Sequence, residues 1–263
     1  MNKKNILNKK QSRVDMFDER EKVNSFEKLP FNVEISKFNS KNNVYTIVNA
    51  KKLHFFGLKC ALYVENLLKD QLLSVYHIAN FKKILFVGLG NEGITADSLG
   101  AKVIKKLFFS SKLNFEIQTC GFCPSVSAKT GMETAETIKA VCMSVCPDLV
   151  VFIDTLASNR LERLGCSFQI NNEGIAAGSG VGNINKFMNK RFLKTNCIVV
   201  GVPFMIYPQN LLKVKMSKYD YENLVLTPKN IDTEIEFCSE IIANAFNGAL
   251  FPELSKDEIK NLI

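Results

Sequence analysis

Apolar residues along this chain fall into two recurring patterns. Ile84–Val87, Leu149–Ile153 and Cys197–Val200 are short unbroken apolar runs, the signature of strands buried on both faces. Between and around them the spacing turns helical. Residues 60–78 carry Leu62, Val64, Leu67, Leu68, Leu72 and Val75 at helical intervals. Leu99, Val103, Ile104 and Leu107 predict a helix ending near Phe109, residues 129–146 another that closes at Pro147, and Ile231 to Asn247 a last one after Thr227-Pro-Lys. A further strand is expected at Phe115–Thr119. Strands alternating with helices predict an α/β fold, a three-layer α/β/α sandwich on a mainly parallel sheet. Upstream, Phe31–Phe38 alternates and Val44–Val48 follows the polar turn 39–43, which suits a hairpin or edge ribbon. Residues 1–30 are polar and expected to be loosely ordered. No internal repeat or linker interrupts the rest, so the division is a basic arm, 1–15, and one domain, 16–263.

Two carboxylates stand out against this pattern. After the strand Ile84–Val87, Gly88 and Gly90 allow a sharp turn, and Asp97 falls in the expected first helical turn, among free backbone N–H groups. Asp154 closes the run Leu149–Ile153, and in a parallel sheet that end faces the same rim. One acid at a strand end is commonly a cap or an ion-pair partner. Two at neighbouring strand ends suggest a pair that shares one proton, able to activate water and protonate a leaving amine. A third unusual stretch, Gly174 to Asn183, holds Gly178, Ser179, Gly180 and Gly182, as expected of a loop whose backbone closely approaches a ligand or another chain.

Composition narrows the chemistry further. The chain has 263 residues with 46% hydrophobic and 23% charged, enough for a substantial core, and no apolar run long enough to cross a membrane. The basic N-terminus lacks the apolar segment of a secretory signal, which predicts a cytoplasmic protein. Eight cysteines scattered through apolar segments suit reduced core thiols better than a disulfide framework. Cys120-x-x-Cys123 has no second pair at zinc spacing, and neither His54 nor His77 lies in a metal motif, so no metal or cofactor is expected. The formal net charge of +8 is spread out without aromatic interleaving; a solvated surface accounts for it without nucleic-acid binding. Gly88-Leu-Gly-Asn-Glu-Gly93 does match a dinucleotide fingerprint. Against that alternative, Glu92 and Asp97 put negative charge where a pyrophosphate would sit, and the next expected strand lacks the acid that holds a ribose.

The motifs Val87-Gly-Leu-Gly-Asn91, Thr95-x-Asp97-x-Leu-Gly100, Thr130-Gly-Met-Glu-Thr134 and Pro147 through Asp154-x-Leu-Ala resemble the germination protease family. The resemblance continues through Glu162-Arg163, Gln169-Ile170, Gly174-Ile175, Gly178 to Asn183, Gly201-Val-Pro203, Thr227 to Asp232 and Ala249 to Pro252. It implies an atypical aspartic endopeptidase that degrades small acid-soluble spore proteins in the spore core during germination. It further implies a zymogen, a homotetramer and a fold similar to hydrogenase maturation peptidases. The family's two proposed catalytic aspartates fall on Asp97 and Asp154. Asn91, Thr130, Glu133, Gly178, Ser179, Gly180 and Asn183 are carried over as supports of the substrate site. Arg13-Val-Asp-Met-Phe resembles the family's maturation point, which implies a cut between Asp15 and Met16. Glu92-Gly93, Ala96, Ser125–Lys129 and Ala176-Ala177 depart from the family pattern and bear on substrate preference. A non-enzymatic alternative is a relative retained as a binding or assembly protein for spore proteins.

Overall fold

The computed structural model describes residues 25–40, 42–110, 115–176, 186–207 and 224–263. The expected arm 1–15 and the loop residues 178–183 lie outside them. In chain order the elements are β1 (Ser25–Leu29), β2 (Val33–Ser40), β3 (Asn43–Asn49), α1 (Leu53–Ser74), β4 (Lys83–Gly88), α2 (Leu99–Ile104) and β5 (Gln118–Phe122). There follow α3 (Ser127–Thr130), α4 (Thr134–Val145), β6 (Leu149–Ala157), β7 (Ser167–Asn171), β8 (Ile175–Ala176), β9 (Phe187–Met188), α5 (Lys190–Leu193), β10 (Asn196–Met205), α6 (Ile231–Leu250) and α7 (Lys256–Leu262).

Eight strands form one sheet in the order β1-β2-β3-β7-β10-β6-β4-β5. The half that carries both aspartates, β10-β6-β4-β5, is parallel. The other half is antiparallel, and β7 joins the N-terminal hairpin to β10. Helices cover both faces of the parallel half, which explains why its strands are apolar without alternation. Ile84, Phe86, Val151, Ile153, Ile198 and Val200 pack beneath α1, α2 and α6. Leu85, Val87, Val150, Phe152 and Val199 pack on the opposite face against Ala135, Ile138 and Cys142 of α4 and Leu193 of α5. The three-layer α/β arrangement is the expected one.

Several boundaries differ from expectation, each for a local reason. Ser25–Leu29, expected to be loose, is an edge strand held by antiparallel pairing to β2. The first helix begins at Leu53, with a break at Gly57 (φ 55°), and ends at Ser74. The expected helix 129–146 is two pieces, because Gly131 is left-handed (φ 70°) and caps α3 before Glu133 starts α4. β5 lies three residues beyond the expected start of its strand, at Gln118 rather than Phe115. Most consequential for the site, β6 runs on to Ala157, because β10 continues beside it to Met205. Asp154 therefore lies within the strand and not at its end.

Candidate active site

β4 ends at Gly88, and the chain turns over the carboxyl edge of the sheet before entering α2. Leu89 N donates to Ile153 O at 2.8 Å, which ties this turn to β6 one residue before Asp154. Gly100, in the first turn of α2, is pressed against the same bond: a Cβ there would lie 2.4 Å from Leu89 O and 2.6 Å from Ile153 O. Any side chain at position 100 would therefore lift the helix from the strands. Gly90 adopts φ +96°, and the space beside it is taken by Asp97, whose carbonyl oxygen would lie 2.1 Å from a Cβ and whose Oδ1 would lie 2.9 Å away.

Asp97 closes a 3₁₀ turn, Thr95–Asp97, rather than opening α2 itself. That turn rests against β6, β10 and α6. Its carboxylate Oδ2 accepts the Asn91 N–H at 2.7 Å, and Asn91 Oδ1 in turn accepts the Gly93 N–H at 3.0 Å. Asp154 is half-buried, paired in register with Gly201 on β10, and its Oδ1 accepts the Thr155 N–H at 2.8 Å. It belongs to the face of β6 that also carries Val150 and Phe152. The structure thus brings Asn91, Asp97 and Asp154 to one rim of the sheet, each carboxylate half-buried and fixed by a backbone donor.

The remaining expected site residues behave differently. Thr130 is exposed, and its hydroxyl accepts the Met132 N–H at 3.2 Å within the turn between α3 and α4. Glu133 caps α4, its carboxylate accepting the Glu136 N–H at 2.8 Å. Both serve the local turn. Gly178, Ser179, Gly180, Asn183, Asp15 and Met16 lie outside the described residues.

One residue escaped the sequence pattern. Lys129, on α3, places its Nζ 3.1 Å from where a Cβ on Gly93 would be. Its position depends on a turn of four helical residues too short to leave a periodic signal; the nearest sequence clue was the departure of Ser125–Lys129 from the family pattern.

Among the described residues no group of three or more His, Cys, Asp or Glu is placed to hold a metal ion. Cys120 is half-buried and Cys123 exposed, both free, and burial pushes both thiols up. His54 lies 3.9 Å from Glu234 of α6, and His77 is a left-handed residue (φ 50°) preceding the turn Ile78–Asn80. No helix among the described residues is long and apolar enough to cross a membrane.

The family profile described as germination protease matches residues 36–213. A germination protease of Clostridium tetani is 32% identical, covering 76% of each chain. One from Clostridium acetobutylicum is 30% identical over 86% of this chain and 84% of its own. One from Caldanaerobacter subterraneus subsp. tengcongensis is 35% identical over 72% and 73%. Among solved structures, the [NiFe] hydrogenase maturation protease HycI of Thermococcus kodakarensis is 19% identical with a TM-score of 0.40, covering 69% of this chain and 99% of that one.

Proposed function

Because this chain belongs to the germination protease family and is thereby a peptidase, we propose that it is an aspartic endopeptidase using Asp97 and Asp154 as its reacting pair. The observation that carries the proposal is the Leu89–Ile153 backbone bond, which links the turn gripping Asp97 to the strand bearing Asp154. Two carboxylates sharing a partly desolvated rim cannot both ionise cheaply, so the pair retains one proton. The ionised member takes a proton from water as the water oxygen attacks the scissile carbonyl carbon. The protonated member hydrogen-bonds the carbonyl oxygen and supplies the proton that converts the amide nitrogen into a leaving amine. Breaking the C–N bond then yields a carboxylic acid and an amine, and the pair again holds one proton.

The resemblance of the motifs supports small acid-soluble spore proteins as substrates, homotetrameric assembly, and a site of action in the cytoplasm of the spore. It also supports an arm, residues 1–15, removed by cleavage after Asp15. The dinucleotide alternative loses support at the loop itself. The Asn91 N–H that would meet a phosphate is already given to Asp97, and Asp97 fills the space beside Gly90.

Purified protein incubated with small acid-soluble spore proteins, with fragments read by mass spectrometry, separates a peptidase from a binding protein. Asp97→Asn and Asp154→Asn should each lose about 10²–10⁴ in rate. The double variant should lose little more, as expected of residues acting as one unit. Near-full activity in either single variant overturns the assignment.

A further inference from the structure

α3 follows β5 closely and carries Lys129 toward the loop that holds Asp97. The ammonium occupies the space a side chain at Gly93 would take, with Asn91 Oδ1 3.3 Å from the same point. The Asn91–Gly93 loop is the one that fixes the carboxylate, through Asn91 N–H to Asp97 Oδ2 at 2.7 Å. Lys129 has no ion pair among the described residues. The acid next to it in that loop, Glu92, is turned to Lys105 at 3.4 Å. An ammonium without an ion-pair partner acts on the loop beside it, with its field reduced by the solvent that also reaches it.

The other charged groups around the Thr95–Asp97 turn can be placed in turn. β6 contributes Asp154, and α6 contributes Asp232 and Glu234 in its first turn. Glu234 lies against Gly165 and 3.9 Å from His54. Glu236 is engaged by Lys102, at 2.7 Å, and by Lys106. Cys123, near Glu92 and Lys105, has its thiol pushed up by burial and is neutral. β10 brings no carboxylate or amine in Asn196–Met205. Among the described residues, Asp154 across the rim disfavours charge on Asp97, while the Lys129 ammonium stands on the loop side, against the Asn91–Gly93 loop that donates to the carboxylate.

We propose that Lys129 is a positioning residue for charge: its ammonium keeps Asp97 the ionised member of the pair, the base toward water, and leaves the shared proton on Asp154. This rests on the aspartate-pair function proposed above. In a coupled pair the lower apparent pKa belongs to the ionisation that makes the pair competent. A cation near Asp97 lowers that value, so activity persists further into acid. Removing the cation moves the acidic limb of the rate profile to higher pH.

The test is the pH dependence of kcat/KM for cleavage of a small acid-soluble spore protein by the full chain carrying Lys129→Met, Lys129→Glu or Lys129→Arg. Lys129 is exposed, so its replacement leaves the core intact, and matching circular dichroism melts verify this. From Coulomb's law in partly solvated surroundings, Lys129→Met should raise the acidic-limb pKa by about half a unit and Lys129→Glu by about one unit. Lys129→Arg should leave it in place, and the basic limb should move less in all three. An unmoved acidic limb overturns the inference, and so does a change confined to KM at every pH, which would make Lys129 a substrate contact. Asp97→Asn and Asp154→Asn run in parallel. If either keeps full activity, the pair itself is wrong; if both are inactive while the limb stays fixed, only the role of Lys129 is wrong.

Discussion

Replacing Gly100 with alanine adds one methyl group at the point where the turn of Asp97 and the strand of Asp154 are joined. That methyl would lie 2.4 Å from Leu89 O, 2.6 Å from Ile153 O and 2.6 Å from Leu89 N, against an ordinary contact of 3.4–4 Å. All three are backbone atoms, so no rotamer change relieves the overlap, and α2 must retreat by about 1 Å, the shortfall from normal carbon contact distance. Two of them are donor and acceptor of the 2.8 Å Leu89–Ile153 bond. Overpacking of this kind costs about 1–3 kcal/mol, and weakening the bond about 1 more. The helix-propensity gain of alanine over glycine, about 1 kcal/mol at most, offsets part of it. The net destabilisation is then about 1–3 kcal/mol, a fall in Tm of about 3–10 °C for a domain of this size. Activity should fall more steeply, by about a hundredfold, because about 1 Å of misplacement in a reacting group has that effect. Thermal unfolding by circular dichroism and rates measured well below both Tm values read the two effects separately. Gly248→Ala is the control: a Cβ there would meet Lys69 Cδ at 3.5 Å, an ordinary contact, so the same substitution should stabilise slightly. Full activity and an unchanged or higher Tm in Gly100→Ala would refute the reasoning.

Burial raises the Glu234 carboxyl above its usual range, with His54 opposing. The folded state thus binds this proton more tightly than the unfolded chain, and that stabilisation, complete below the unfolded pKa of about 4.3, is lost as pH rises through the folded value. Glu234→Gln should therefore raise the urea midpoint near neutral pH and lose its advantage near pH 4; a lower midpoint at neutrality would mean that the contact with His54 dominates. For the arm, N-terminal sequencing after incubation at mildly acidic pH should find Met16 as the new terminus in the unmodified protein and no cut in Asp154→Asn. Equal cutting in both would remove self-processing.

The parallel half of the fold was legible because its strands are covered on both faces and so are apolar throughout. Leu149–Ile153 could hardly be anything else. β7 was not legible, although its Phe168 and Ile170 alternate. Its other face presents Ser167, Gln169 and Asn171, which look like solvent-facing residues in the sequence yet are only 0%, 3% and 5% exposed. β1 gave no apolar signal because most of it is exposed and its place is set by backbone pairing alone. For the site, glycine spacing marked the turn and chain position marked both acids. Their fixing by the Asn91 and Thr155 N–H groups is a matter of local turn and side-chain geometry that residue types do not encode, and the place of Asp154 inside β6 depends on pairing with β10 more than forty residues later. The segment 125–129 stood out only as a departure from the family pattern; that Lys129 meets the Asn91–Gly93 loop could not be seen, since only the fold brings α3 there.

The order of strands also has a consequence in time. β10 alone, among the described strands, pairs with both the antiparallel half, through β7, and the parallel half, through β6. During synthesis the two halves can each assemble, but no strand pairing joins them until Asn196–Met205 has left the ribosome. At about 5–20 residues per second, the stretch from Ala157 to Met205 takes about 2–10 s. For that interval Leu149–Ala157, buried almost throughout in the finished protein, has a bare edge of the kind that recruits strands from other chains. The strand that sets Asp154 in place is thus also the one whose late arrival leaves the nascent chain most open to mispairing.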